Sequence, residues 1–184
     1  MLFRSLESPF VSNGQFEAMR AAFGESVRVI HCLFPAGGEA GILRRRLEEI
    51  RTEAEEAVRA GIGHLILTDE GVDEANVAMP MILATSAVHS WLTQQGLRTF
   101  SSVNVRSAEC IDPHYFAVLI ACGATTVNAW LAQESVADRI DRGLKPACVT
   151  VCTTHCLHFG RTDEMTQIRR ERHAHQVASL EHSS

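Results

Sequence analysis

The polar residues with the most chemical capacity follow short apolar runs. Thr68, Asp69 and Glu70 come after His64-Leu65-Ile66-Leu67, Asn104, Arg106 and Glu109 lie in and after a third such run, and Asn128 ends Thr125-Thr126-Val127. Carboxylates, a guanidinium, amides and a hydroxyl together could hold a small polar molecule or an anion. The same groups also cap helices, bond loops and line domain interfaces. No nucleophile–base pair is visible among them, so the structural use is the stronger reading. His89, beside Trp91, and His114, before Tyr115 and Phe116, read as hydrogen-bonded core histidines rather than catalysts. Cys32, Cys110 and Cys122 are scattered and serve as small apolar side chains.

Two further clusters invite chemistry. Gly37-Gly38-Glu39-Ala40-Gly41 lies where phosphate loops occur, but it lacks the lysine and hydroxyl of a nucleotide loop, and Glu39 would repel phosphate. A flexible connection is the better reading. Near the C-terminus stand Cys148, Cys152, His155, Cys156 and His158, with His173 and His175 beyond. A structural zinc site wants two spaced ligand pairs, and His173 with His175 makes an unconvincing second pair. A marginal strand over Ala147 to Cys152 is preferred, followed from about Thr162 by a polar stretch without fixed structure.

The elements that must position the polar residues repeat. Ser26 to Phe34 is rich in β-branched residues and reads as a strand. Leu43, Leu47, Ile50, Ala54 and Ala57 then recur on one helix face, with Arg44–Glu48, Arg45–Glu49 and Glu55–Arg59 paired on the other. His64–Thr68 is a second strand, almost wholly apolar as in a sheet covered on both faces. A loop, Asp69 to Ala78, leads into an apolar helix from Pro80 to about Gln95. Arg98 to Val105 is a third strand, and Asp112-Pro113 opens the next helix. Thr125–Asn128 is the fourth strand, before a last helix from about Leu131 to Asp141. Gly61, Gly96, Gly123 and Gly143 end the four helices. The fold class is α/β: repeated βα units forming a parallel sheet or partial barrel, too few to close an eight-stranded barrel, with an irregular C-terminal tail.

Composition sets the wider limits. The chain has 184 residues, 46% of them hydrophobic and 21% charged, which suits a folded domain. Its 17 basic and 22 acidic residues give a net charge of −5, against nucleic acid or an anionic membrane as partner. No stretch approaches the roughly 20 apolar residues of a membrane span, and the start lacks a signal-peptide core, so a cytoplasmic location is expected. Histidine and cysteine concentrate after residue 144, which divides the chain into an α/β domain, 1–144, and a divergent tail, 145–184.

Several strings, in order and at fitting spacing, resemble the large subunit of bacterial glutamate synthase. They are Ser8-Pro9-Phe10-Val11-Ser12-Asn13, Phe34-Pro35-Ala36-Gly37, Leu67-Thr68-Asp69, Ile82 to His89, and Gly96-Leu97-Arg98-Thr99. Asn104 to Cys110 is the most specific, followed by His114-Tyr115-Phe116-Ala117 and Gly123 to Ala129. Ala121 and Trp130 depart, standing where glycine and tyrosine are expected. The similarity covers Leu6 to Leu144 and points to the central domain. It implies an enzyme that makes glutamate from glutamine and 2-oxoglutarate. An amidotransferase domain with an N-terminal cysteine releases ammonia, which passes through a tunnel to a barrel carrying FMN and a 3Fe-4S cluster.

The expectation is therefore a central linking domain without the amidotransferase nucleophile and without FMN or iron–sulfur cofactor of its own, inactive alone. Its partners would be the amidotransferase and FMN-barrel domains. Interface or tunnel candidates are Thr68, Asp69, Glu70, Asn104, Arg106, Glu109, His114 and Asn128. A stand-alone small α/β ligand-binding protein or enzyme using the strand-end residues is the alternative, and a module docking onto separate subunits a third. Apolar surface meant for neighbours would drive self-association, with Met79, Met81, Ile82 and Trp91 as one source.

Overall fold

The computed structural model describes residues 8–145, 147–150 and 158–181. The chain forms two compact units, residues 1–134 and 135–184. The first opens with helix α1 (Asn13–Phe23), fixed by a capping box in which Ser12 and Gln15 each bond the other's backbone. Then come strand β1 (Val27–His31), the short β2 (Leu33–Pro35), α2 (Ile42–Arg59), β3 (His64–Thr68), the short β4 (Asn76–Ala78) and α3 (Met81–Gln94). Strand β5 (Ser102–Arg106), α4 (Pro113–Ala121), β6 (Thr126–Asn128) and α5 (Trp130–Asp141) follow. Helices α6 (Ala147–Thr150) and α7 (Thr162–Glu181) belong to the second unit.

The sheet has the order β1-β3-β5-β6 and is parallel throughout, as the repeated βα pattern requires. Period-two alternation decides what each face holds. Ile30, Leu65, Leu67, Val103, Val105 and Val127 point into the main core, with Ile50, Ala54 and Ala57 of α2, Met81, Ala84, Val88 and Leu92 of α3, and Leu119 of α4. On the opposite face Ile66 meets Val11 and Phe16, with Val27, Val29 and Met19 around them. Phe16 and Met19 place α1 on that second face. Both faces of β3 are thus covered, which accounts for its continuous apolar sequence.

The structure corrects several expectations. The strand expected over Ser26–Phe34 divides at Cys32, whose carbonyl accepts from Met79 N. Past that point Leu33–Pro35 pairs antiparallel with Asn76–Ala78, so the expected loop contains a strand. Arg98–Phe100 is a turn of 3-10 helix and β5 starts only at Ser102, because Arg98 is turned back onto His89, Ser101 O and Gly123 O. Of the three expected pairs on α2, Glu55–Arg59 forms at 2.8 Å, while Arg46 takes Glu49 and Arg45 approaches Glu39. Met79 and Met81 are fully buried and cannot supply an exposed apolar patch. Ala147–Thr150 is helical where a strand was expected, and Val151 and Cys152 lie outside the described residues. Thr162–Glu181 is one helix although its composition argued against fixed structure, and Asp163 and Glu164 sit favourably in its first turn.

The four glycines that close helices all take positive φ, and Gly123 is the most constrained of them. At φ +105° a side chain is strained, and a Cβ there would lie 2.2 Å from the His89 ring. That ring accepts from Arg98 Nε at 3.0 Å, and Arg98 in turn holds Gly123 O at 2.8 Å. Gly96 has φ +70° but open space around it. In urea denaturation Gly96→Ala is expected to cost about 1 kcal/mol, from backbone alone. Gly123→Ala should cost about 3 kcal/mol because the His89–Arg98 contact is displaced as well; equal losses would refute the packing argument.

Candidate functional site

The sheet register builds the site. Thr68, Arg106 and Asn128 are aligned partners on β3, β5 and β6, and Ile66, Asn104 and Thr126 form the adjacent row. Both rows point to the face that α1 covers, opposite the main core. The candidates after the strands therefore meet because the strands are in register, not because their loops fold together.

Asn104 lies in the deeper row and is fully enclosed. Its Nδ2 donates to Leu65 O at 3.1 Å and to Ser102 Oγ at 2.9 Å, and its Oδ1 accepts from Thr126 Oγ1 at 2.8 Å. Ser102 also bonds His64 Nδ1 at 2.8 Å. His64 stacks on Phe23, and burial pushes its pKa down, favouring the neutral ring.

The outer row centres on Arg106, whose side chain is 12% exposed. Its Nε meets Glu70 at 2.9 Å, its Nη1 donates to Asn128 Oδ1 at 2.9 Å, and Glu17 of α1 lies 3.6 Å away. The guanidinium also sits 4.9 Å above the Phe16 ring. Glu70 is held in place by Thr68, whose hydroxyl accepts from Glu70 N and donates to its carboxylate. Asn128 Nδ2 donates to Val11 O at 3.0 Å and to Asn13 Oδ1 at 2.8 Å. Gln133 adds a second donor to Val11 O and accepts from Asn13 N. The entering chain, Val11–Asn13, is tied down from both β6 and α5.

Asp69 is 2% exposed. One carboxylate oxygen accepts from Ser107 Oγ at 3.0 Å and Ala108 N at 2.7 Å, the other from Trp130 Nε1 at 3.0 Å. Glu109 accepts from Met81 N at 2.9 Å and from the Tyr115 hydroxyl. Helix α3 starts at Pro80, which provides no side-chain cap, so Glu109 supplies the missing acceptor from another loop. Burial, followed by the Glu109 bond, pushes the Tyr115 pKa up.

Seven of the eight candidates thus take part in defined bonds at or near the carboxyl edge of the sheet. His114 does not: it stands exposed in the first turn of α4, because the helix turns Tyr115 and Leu119 inward instead. His89 is hydrogen-bonded, as expected, to Arg98. Asn13, Ser107, Trp130 and Gln133 are the members that sequence reading missed. The Ser12–Gln15 capping pair was the available signal for the segment carrying Asn13.

These residues do not fit a flavin phosphate or an iron–sulfur cluster. Arg106 is already shared by two carboxylates, and Glu39 in the glycine-rich loop is acidic and exposed. Burial pushes the Cys32 and Cys110 thiols up to about 12. Among the described residues no three His, Cys, Asp or Glu side chains group as metal ligands. Cys152, His155 and Cys156 lie outside those residues.

Two outcomes test this account. Asp69→Asn turns an acceptor of three donors into a group that must present its own N–H to one of them. It should cost about 2–3 kcal/mol in urea denaturation, whereas His114→Ala should stay within about 0.5 kcal/mol. The two thiols fix a pH dependence. Each is raised from its ordinary 9.0 to about 12 in the folded chain, so the unfolded state loses those protons first. Their contribution is complete below about pH 8.5 and is lost as pH rises toward 12. The urea midpoint should therefore fall between pH 8 and pH 10.5, and a thiol reagent at pH 8 should label Cys32 and Cys110 only in denaturant.

The family model of the glutamate synthase central domain matches residues 3–178. The match passes Leu144, where the similarity read from the sequence ends, and takes in most of α7. The large chain of NADPH glutamate synthase from Azospirillum brasilense is 54% identical over 139 residues, 76% of this chain and 9% of that protein. The corresponding Bacillus subtilis (strain 168) chain is 36% identical over 140 residues, covering 75% and 9%. The chloroplastic ferredoxin-dependent glutamate synthase of Spinacia oleracea is 36% identical over 133 residues, covering 71% and 8%. The chain spans less than a tenth of the length of these relatives. With a parallel βα sheet and a family match over nearly its whole length, the chain belongs to the glutamate synthase central domain family.

Proposed function

We propose that this chain acts as the linking domain of a glutamate synthase, in glutamate biosynthesis and ammonia assimilation. In that role it joins a glutamine amidotransferase to an FMN-carrying barrel and helps to enclose the path of ammonia between them, in the cytoplasm. FMN and the 3Fe-4S cluster belong to the barrel, and the chain by itself is not a catalyst. The observation that carries this reading is the family match together with the use of nearly every strand-end polar group in internal bonds. A catalytic site needs polar groups left over for substrate, and here Asp69, Asn104 and Asn128 are buried with both ends of each side chain already bonded.

The site candidates divide by exposure under this reading. Asp69, Asn104, Asn128 and Thr68 are buried and act by positioning. Glu70, with Arg106 behind it, and His114 reach the surface and are the groups able to meet a neighbouring domain.

The test is a chimera in which the aligned segment of this chain replaces the aligned 139 residues of the Azospirillum brasilense large chain. It should form glutamate from glutamine within about tenfold of the parent rate, the range expected when linking geometry is kept but not optimised. The 184-residue chain alone should release no ammonia from glutamine. A folded but inactive chimera, or glutaminase activity of the chain alone, would overturn the reading.

A further inference from the structure

Helix α4 carries no Asp, Glu, Lys or Arg. Pro113, Phe116, Ala117, Ile120 and Ala121 recur at intervals of 3, 1, 3 and 1, a single stripe along the helix. Pro113, Ala117 and Ala121 are exposed, with Phe116 and Ile120 half-buried between them. The Phe10 ring, 44% exposed, packs edge-on against Phe116 at 5.1 Å. Stripe and ring enclose an open groove of about 670 Å³ floored by Val127. Ile111, immediately before the helix, is 76% exposed. On a chain with net charge −5 this is an uncharged apolar surface with no partner in the fold described.

We infer that this groove seats an uncharged, apolar segment of the domain that precedes this one in an intact glutamate synthase. The inference rests on the linking-domain reading. The matched segment is 9% of the Azospirillum brasilense large chain, so an intact relative carries further polypeptide, and the described chain comes in at the groove itself. Pro9 O accepts from Val127 N at 2.8 Å, and Phe10 pairs in parallel with Val127. A domain joined at that point is tethered at the rim of the groove, so its effective concentration there is in the millimolar range, about what weak apolar docking needs. A second copy of the chain is disfavoured by area. Nine helical residues extend only about 14 Å, and a helix face of that length and about 10 Å width is well under the roughly 800 Å² per partner of a stable free dimer.

The experiment compares Ala117→Glu in two settings, the 184-residue chain and the Azospirillum chimera. In the isolated chain the added carboxylate points to solvent, and the unfolding midpoint should shift by no more than about 1 °C. In the chimera it must be buried against the neighbour. The midpoint should fall by at least about 4 °C and cleavage near the domain junction should quicken. Ala121→Glu, on the same stripe, should repeat the pattern. Equal shifts in both settings, or none in the chimera, would overturn the inference. So would an isolated chain that sediments as a dimer and is split by Ala117→Glu, since the occupant would then be a second copy. A chimera that is active but indifferent to both substitutions removes the docking surface and leaves the linking role standing. A chimera inactive before substitution removes the linking role, and the inference falls with it.

Discussion

Burying the Asp69 carboxylate commits every segment that meets at the carboxyl edge of the sheet. A carboxylate in a protein interior costs several kcal/mol unless donors replace its water. Those donors come from two elements far apart in sequence: Ser107 and Ala108 after β5, and Trp130 at the start of α5. Their simultaneous presence fixes where the β5–α4 loop runs and where α5 begins. Ser107 Oγ also accepts from Glu109 N, which sets Glu109 to cap α3. One buried charge thus holds the loops after β3 and β5 and the starts of two helices in a single arrangement.

The second constraint is the pleat of the sheet. Leu65, Leu67, Val103, Val105 and Val127 fill one side, and their neighbours Thr68, Asn104, Arg106, Thr126 and Asn128 fall necessarily on the other. A buried polar face is tolerable only when its groups pair with one another. In-register strands make that possible: Asn104 reaches Thr126 across β5 and β6, and Arg106 reaches Asn128 one row further. A slip of one residue in β5 would send Asn104 and Arg106 into the hydrophobic core. The polar rows therefore specify the register as firmly as the apolar ones, and α1 closes over them with Phe16 against the Arg106 guanidinium.

Much of this was legible in the sequence, and the parts that were not share a cause. Helices α2 to α5 announced themselves through local signals: the stripe from Leu43 to Ala57, the Asp112 cap that does accept from Tyr115 N, and the glycines that end them. The position of Asp69, Asn104, Arg106 and Asn128 at or near strand ends was also readable, because parallel strands put such residues on one edge. Their partners were not. Trp130 reaches Asp69 across 61 positions, and Asn128 reaches Val11 across 117. No local pattern encodes such pairs. The break at Cys32 was hidden for the same reason, since β2 exists only through pairing with β4. Helix α7 was missed differently: its polar composition masks helix-forming residues that need no apolar stripe to be assigned.

The distribution of satisfied and unsatisfied surface separates what this domain holds in place from what it offers. Its polar edge is closed on itself. Glu70 and Glu17 neutralise Arg106 from two sides, so the guanidinium has little field left for an incoming anion. Its apolar surplus lies elsewhere, on α4 and Phe10, which the described residues leave partly exposed. Polar groups that are fully paired give a rigid, single arrangement, whereas exposed apolar side chains gain free energy only by meeting another surface. Rigidity at one edge and exposed apolar surface at another suit the linking role proposed above.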